Sequence, residues 1–111
     1  MNYLHKNLDQ QKWFQKSLAE QMAHIGAEVG RAINWSKKDI KKSKEAFERG
    51  LELLDVTIED PKNQRSHLKE LCRLKSVLVD YFMGNNEYGS SELMWNNYFY
   101  FFNAKASAKY F

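Results

Sequence analysis

Glu48-Arg49-Gly50-Leu51-Glu52-Leu53-Leu54-Asp55-Val56-Thr57-Ile58-Glu59-Asp60-Pro61-Lys62-Asn63-Gln64-Arg65-Ser66-His67-Leu68-Lys69-Glu70-Leu71-Cys72-Arg73 is the stretch that decides the fold. Glu48, Glu52, Asp55 and Glu59 recur at helical spacing before Asp60-Pro61, and Lys62, Arg65, Lys69 and Arg73 recur at helical spacing after it. Each set therefore marks one face of one helix. Asp60-Pro61 stops the first helix, because the residue before a proline is pushed out of the α region. The same pair opens the second, with Asp60 as N-cap and Pro61 at the first helical position. A tight turn here predicts an antiparallel pair. The rungs would then be Glu59/Lys62, Asp55/Arg65, Glu52/Lys69 and Glu48/Arg73. A charge-zipped hairpin is the favoured reading, ahead of a cation site on the carboxylates or a phosphate-binding face on the bases. Each exposed pair is worth only about 0–1 kcal/mol, so the gain is register.

Outward from this hairpin, the apolar spacing predicts four helices at 9–34, 36–59, 61–83 and 91–108. The first carries Phe14, Leu18, Met22, Ile25, Val29 and Ile33 on one face. Beside it runs a strip of small residues, Ala19, Ala23, Gly26 and Gly30, which predicts a close approach by another backbone. The second opens on Ser36 and Asp39, read as a capping box, and presents Ile40, Ser43, Phe47, Leu51, Leu54 and Ile58. The third buries Leu71, Leu74, Val77, Leu78, Tyr81 and Phe82 and stops at Gly84. Ser90 or Ser91 caps the fourth, which sets Met94, Trp95, Tyr98, Phe101 and Phe102 on one face. The expected fold is all-α, an up-down-up-down four-helix bundle forming a single domain over residues 1–111.

Composition agrees. The 111 residues suit one domain, and 43% hydrophobic with 28% charged is ordinary for a globular chain. One proline and five glycines are too few for many short strands. A net charge of +3 calls for neither a nucleic acid nor a membrane. The one cysteine, Cys72, excludes an internal disulfide and is expected to be buried and structural. With no apolar leader at residues 1–25, the expected compartment is the cytoplasm.

The excess charge is local. Lys37, Lys38, Lys41 and Lys42, with Lys44 nearby, make a basic patch at the head of the second helix, the unfavourable end for its dipole. The patch contains no arginine, so a solvated face is favoured over nucleic-acid binding. Glu20, His24 and Glu28 are spaced like metal ligands on a helix. The first two, however, fall on the side away from the core, and the paired Glu-x-x-His motif of di-iron bundles is absent. No catalytic residue, metal site or cofactor is assigned. The polar loop 84–91 supplies the candidate ligand contacts Asn86, Glu87, Tyr88 and Ser90, joined by Asp80 just upstream, with a plain capping turn as the competing and favoured reading.

Several motifs carry a resemblance. Leu51-Glu52-Leu53-Leu54-Asp55, Glu59-Asp60-Pro61, Leu68-Lys69-Glu70-Leu71, Asp80-Tyr81-Phe82 and Asn86-Glu87-Tyr88-Gly89-Ser90-Ser91, all within 47–91, resemble a family of short uncharacterised prokaryotic all-helical proteins, which implies no particular activity. More loosely, the whole chain looks like the substrate-binding subunits of small nucleotidyltransferases and the related HEPN domains, a likeness of size and helix count. It departs from the HEPN ribonuclease pattern, because Arg65 stands only two residues before His67. The likeness therefore implies a substrate- or nucleotide-binding partner subunit without ribonuclease chemistry. The aromatic load points elsewhere. Three Trp, six Tyr and seven Phe exceed what one small core can hide, and Trp35, Tyr100, Tyr110 and Phe111 fall off the apolar faces. Surface aromatics favour protein contacts. The first expectation is a non-enzymatic interaction module, a homodimer formed through the first or last helix.

Overall fold

The computed structural model describes residues 9–108, with side chains to residue 106. Six helices account for most of them: α1 (Gln10–Gln15), α2 (Leu18–Trp35), α3 (Ile40–Glu59), α4 (Pro61–Gln64), α5 (Leu68–Met83) and α6 (Glu92–Ala108). There is no strand among the described residues, so the all-α expectation stands.

Two of the four expected helices are broken, each for a local reason. The helix predicted from residue 9 stops at Gln15 and restarts at Leu18. Ser17 takes extended backbone and forms a capping box with Glu20, its Oγ accepting the Glu20 N–H while the Glu20 carboxylate accepts the Ser17 N–H. The helix predicted from Pro61 ends as a single turn, α4, and α5 begins only at Leu68. Caps also moved. Ser36 closes α2, its Oγ donating to the Ile33 carbonyl at 2.6 Å. Asp39 alone opens α3, accepting from the Lys41 and Lys42 amides. Asp60-Pro61 behaves as the sequence implies.

The break at α4 overturns the charge zipper. The connection from α3 to α5 is not a tight turn, and its extra residues slide α5 along α3. Asp55 pairs with Lys75 at 2.7 Å, not with Arg65. Glu59 accepts from Gln10 at 2.9 Å. The apolar layer follows the same register, with Phe47 stacked on Phe82 at 4.6 Å between ring centres.

The core is built by Met22, Ile25, Val29, Ala32 and Ile33 of α2, Ala46, Phe47, Leu53, Leu54 and Val56 of α3, Leu71, Leu74 and Leu78 of α5, and Trp95 and Phe99 of α6, closed at one end by Trp13. Ile40, expected inside, is exposed because it is the first residue of its helix. On α6 the inward residues are Trp95 and Phe99, while Met94 and Phe101 face outward. α2 packs along α3 and α6, and α3 along α5.

Close approach decides the α2 contacts. A Cβ on Gly26 would meet Phe99 side-chain atoms at 2.8 Å, so α6 seats its ring on this glycine. Gly50 of α3 is buried over Glu28 and the Ile25 carbonyl, a close approach with no sign in the small-residue strip. Gly30 faces open space and is not part of a helix contact, contrary to expectation.

A polar knot is buried where α1, α2, α3 and α4 meet. The Gln21 amide donates to Asp60 Oδ2 and to the Trp13 carbonyl, both at 2.9 Å. Asn63 Nδ2 donates to Gln21 Oε1 and to the Thr57 carbonyl, both at 3.0 Å. The Trp13 indole donates to Thr57 Oγ1, which donates to the Leu53 carbonyl. Lys62 Nζ bonds Asp60 and the Phe14 carbonyl. Burial would raise the Asp60 pKa, but the hydrogen bonds from Lys62 and Gln21 prevail and hold it below its ordinary 3.8.

Two outcomes are expected. Gly30→Ala should stabilise by up to about 1 kcal/mol through helix propensity. Gly26→Ala should destabilise by roughly 1–3 kcal/mol, because overpacking against Phe99 outweighs that gain; urea denaturation reads both. Because the folded Asp60 pKa is depressed, its contribution is present above the unfolded value and lost as pH falls through the folded one. The Asp60→Asn variant should therefore show a flatter loss of stability than the parent below about pH 4, read from urea midpoints across that window.

Candidate functional site

The residues singled out in and before loop 84–91 come together, and they close the loop upon itself. Asp80 Oδ1 accepts the Glu87 N–H at 2.8 Å and Oδ2 accepts the Tyr88 N–H at 3.0 Å. Asn86 has a left-handed φ of 52°, a conformation asparagine tolerates. Its side chain clasps the Ser90 backbone, donating to the carbonyl at 2.9 Å and accepting from the N–H at 2.8 Å. Gly89, at φ 68°, completes the reversal. Ser91 then caps α6, its Oγ accepting from Met94. Asp80, Asn86 and Ser90 are thus engaged in the turn, while Glu87 and Tyr88 are exposed.

The lysines divide between two places. Lys37 and Lys38 sit in the turn before Asp39, and Lys41 and Lys42 in the first turn of α3; all four are exposed. Asp39 offsets their charge at the helix start. Lys42 Nζ lies 4.4 Å above the centre of the Trp35 ring, a cation–π contact.

The metal-like triplet on α2 is dispersed. Glu28 bonds Arg31 at 2.7 Å and Arg49 of α3 at 3.1 Å. His24 rests 5.5 Å from the Trp13 ring, and its pKa is lowered by burial and by Lys16, against a smaller rise from Glu20. Among the described residues no three His, Cys, Asp or Glu side chains gather as metal ligands. Cys72 is exposed on α5 rather than buried.

Two features of α6 escaped the sequence pattern. The first is a cleft of about 330 Å³ between α5 and α6, lined by Glu70, Arg73, Leu74, Val77, Ser90, Met94, Trp95 and Tyr98. Burial, with the nearby Glu70 charge, raises the Tyr98 pKa to about 12, so its hydroxyl keeps its proton across the physiological range. The second is an outward apolar face. Leu93 is 68% exposed, Met94 55%, Tyr100 71% and Phe101 60%. At about 100° per residue these four share the side of α6 opposite Trp95 and Phe99. The signal was present as an aromatic run, but such a run does not say which residues turn inward.

No family model, curated protein or solved structure matches the chain. Nothing in these comparisons bears on the resemblance drawn from 47–91. Among the described residues, no helix is long and apolar enough to cross a membrane.

The loop geometry has a measurable consequence. Asp80→Ala should cost roughly 1–2 kcal/mol by releasing two amides from a charged acceptor. Glu87→Gln and Tyr88→Phe should change stability by less than about 0.5 kcal/mol, as exposed substitutions do; thermal and urea melts check both.

Proposed function

We propose that this chain is a non-enzymatic interaction module, a cytoplasmic homodimer that pairs through the outward face of α6. One observation carries the reading: Leu93, Met94, Tyr100 and Phe101 form an exposed apolar face on a helix whose opposite side is already buried. From Leu93 to Ala104 no side chain is charged. A helix with two apolar faces needs two partners, and the core supplies one of them. An uncharged aromatic face is self-complementary, as a two-fold interface requires. Tyr and Phe contribute much contact area for little lost freedom.

In this reading α2, α3, α5 and α6 are the four members of an up-down-up-down bundle. Packing of α2 on α3, α2 on α6 and α3 on α5 supports three of its sides. A nucleotide-binding partner subunit has less support, because Asp80, Asn86 and Ser90 are engaged in closing their own loop.

Light scattering coupled to size exclusion at micromolar concentration is expected to give twice the chain mass. Phe101→Glu and Tyr100→Glu should each give the single-chain mass with unchanged helical circular dichroism. A parent that runs as a monomer, or charge variants that remain dimeric, would overturn the proposal.

A further inference from the structure

The outward face of α6 holds one polar residue at its centre. At about 100° per residue, Asn97 falls midway between Leu93 and Met94 of the turn before it and Tyr100 and Phe101 of the turn after it. It is exposed, as they are. The pattern reads the same in both directions: apolar residues stand four and three positions before Asn97, and three and four positions after it. A helix laid antiparallel on its own copy brings each residue opposite the one equally far beyond the two-fold axis. With the axis at Asn97, Leu93 meets Phe101 of the second copy, Met94 meets Tyr100 of the second copy, and Asn97 meets its own counterpart.

Charge sets the direction. Glu92 lies in the first turn of α6 and Lys105 in the last, both exposed. Antiparallel pairing sets the basic end of each helix beside the acidic end of the other and opposes the two helix dipoles. Parallel pairing would set like end against like end. The amide sets the register. A primary amide is both donor and acceptor, so two of them related by a two-fold axis can exchange a pair of N–H···O=C bonds. Slid by one turn, each amide would instead face Leu93 or Phe101 of the second copy, losing its water without gaining a partner. A single buried asparagine fixes the register of paired helices by the same means.

We propose that α6 pairs antiparallel with α6 of a second copy in one register, the two Asn97 amides bonded to each other on the two-fold axis. The inference rests on the pairing through α6 proposed above and adds its direction, its register and the residue that selects them.

The test uses the full chain with Cys72, which is exposed, replaced by Ser so that introduced thiols act alone. Leu93→Cys and Phe101→Cys chains are oxidised separately and as an equal mixture, and disulfide-linked dimers are followed by non-reducing electrophoresis. In the proposed register the mixed pair is directly opposed, whereas two identical sites lie eight residues, about 12 Å, apart along the axis. The mixture is expected to cross-link about tenfold faster than either chain alone. Adding Asn97→Leu should keep the doubled mass in light scattering and bring the three rates within about twofold of one another. Met94→Cys mixed with Tyr100→Cys should show the same preference and keeps the test decisive should loss of the Phe101 ring weaken pairing. A parent of single-chain mass would overturn both the pairing and this register. A doubled mass in which Leu93→Cys or Phe101→Cys links fastest to itself would overturn the register and leave the pairing standing. Equal rates with Asn97 in place, or a preference that survives Asn97→Leu, would remove Asn97 from this role.

Discussion

The buried bond between Gln21 and Asp60 is the constraint on which the rest of the structure depends. Asp60 has three duties. It caps α4 through the Lys62 amide, it marks the end of α3, and it accepts from a glutamine buried in α2. A carboxylate 2% exposed is costly unless its oxygens are filled, and Lys62 and Gln21 fill them. Gln21 in turn has its own oxygen satisfied by Asn63, which reaches back to the Thr57 carbonyl. Each group closes the account of the next, so the knot exists complete or not at all. It therefore fixes the junction of α3 and α4 against α2 more narrowly than apolar packing would. The place where α5 begins follows from that junction.

The sequence was legible where one residue reports one local preference. Helix faces on α2 and α5 followed their apolar spacing, and Asp60-Pro61 is both a stop and a start. Legibility failed where two elements had to be placed together. The charge stripes match well on paper, yet the match assumed that the chain turns at Pro61. α4 and the residues after it fill that space, so Asp55 meets Lys75. Nothing local distinguishes a tight turn from one turn of helix followed by a bend. The difference lies in Asn63, whose side chain is buried in the knot and holds α4 in place. A buried asparagine in a polar stretch is invisible until its partner, Gln21, forty-two residues away, is in view.

The glycines teach the same lesson. Gly26 and Gly30 stand one turn apart and are equivalent in sequence. Only Gly26 is met by a ring, because Phe99 is placed there by the path of α6. Gly50, isolated in its helix, lies against α2, where a Cβ on it would stand 3.3 Å from that of Glu28. Candidate site residues behaved likewise. Asp80, Asn86 and Ser90 were recognisable as a cluster, but backbone amides arriving from seven and eight residues on turned Asp80 from a ligand candidate into a loop fastener.

The cleft and the outward face of α6 have one origin. Phe99 seats on Gly26 and draws α6 against α2. Trp95 lies 6.1 Å from the ring of Tyr81 on α5 in an edge contact, while Tyr98 stands edge-on to Trp95 at 6.3 Å. Two large rings on the α5 side of α6 hold the helices apart where smaller residues would let them close, and the gap between them is the cleft. With α6 packed along α2 and kept from α5 by aromatic bulk, its far side has no described element to cover it. Leu93, Met94, Tyr100 and Phe101 are left outside by the same geometry that buries Trp95 and Phe99. Shrinking Tyr98 would therefore bear on the spacing of α5 and α6, because its ring lines the gap between them and stands edge-on to Trp95.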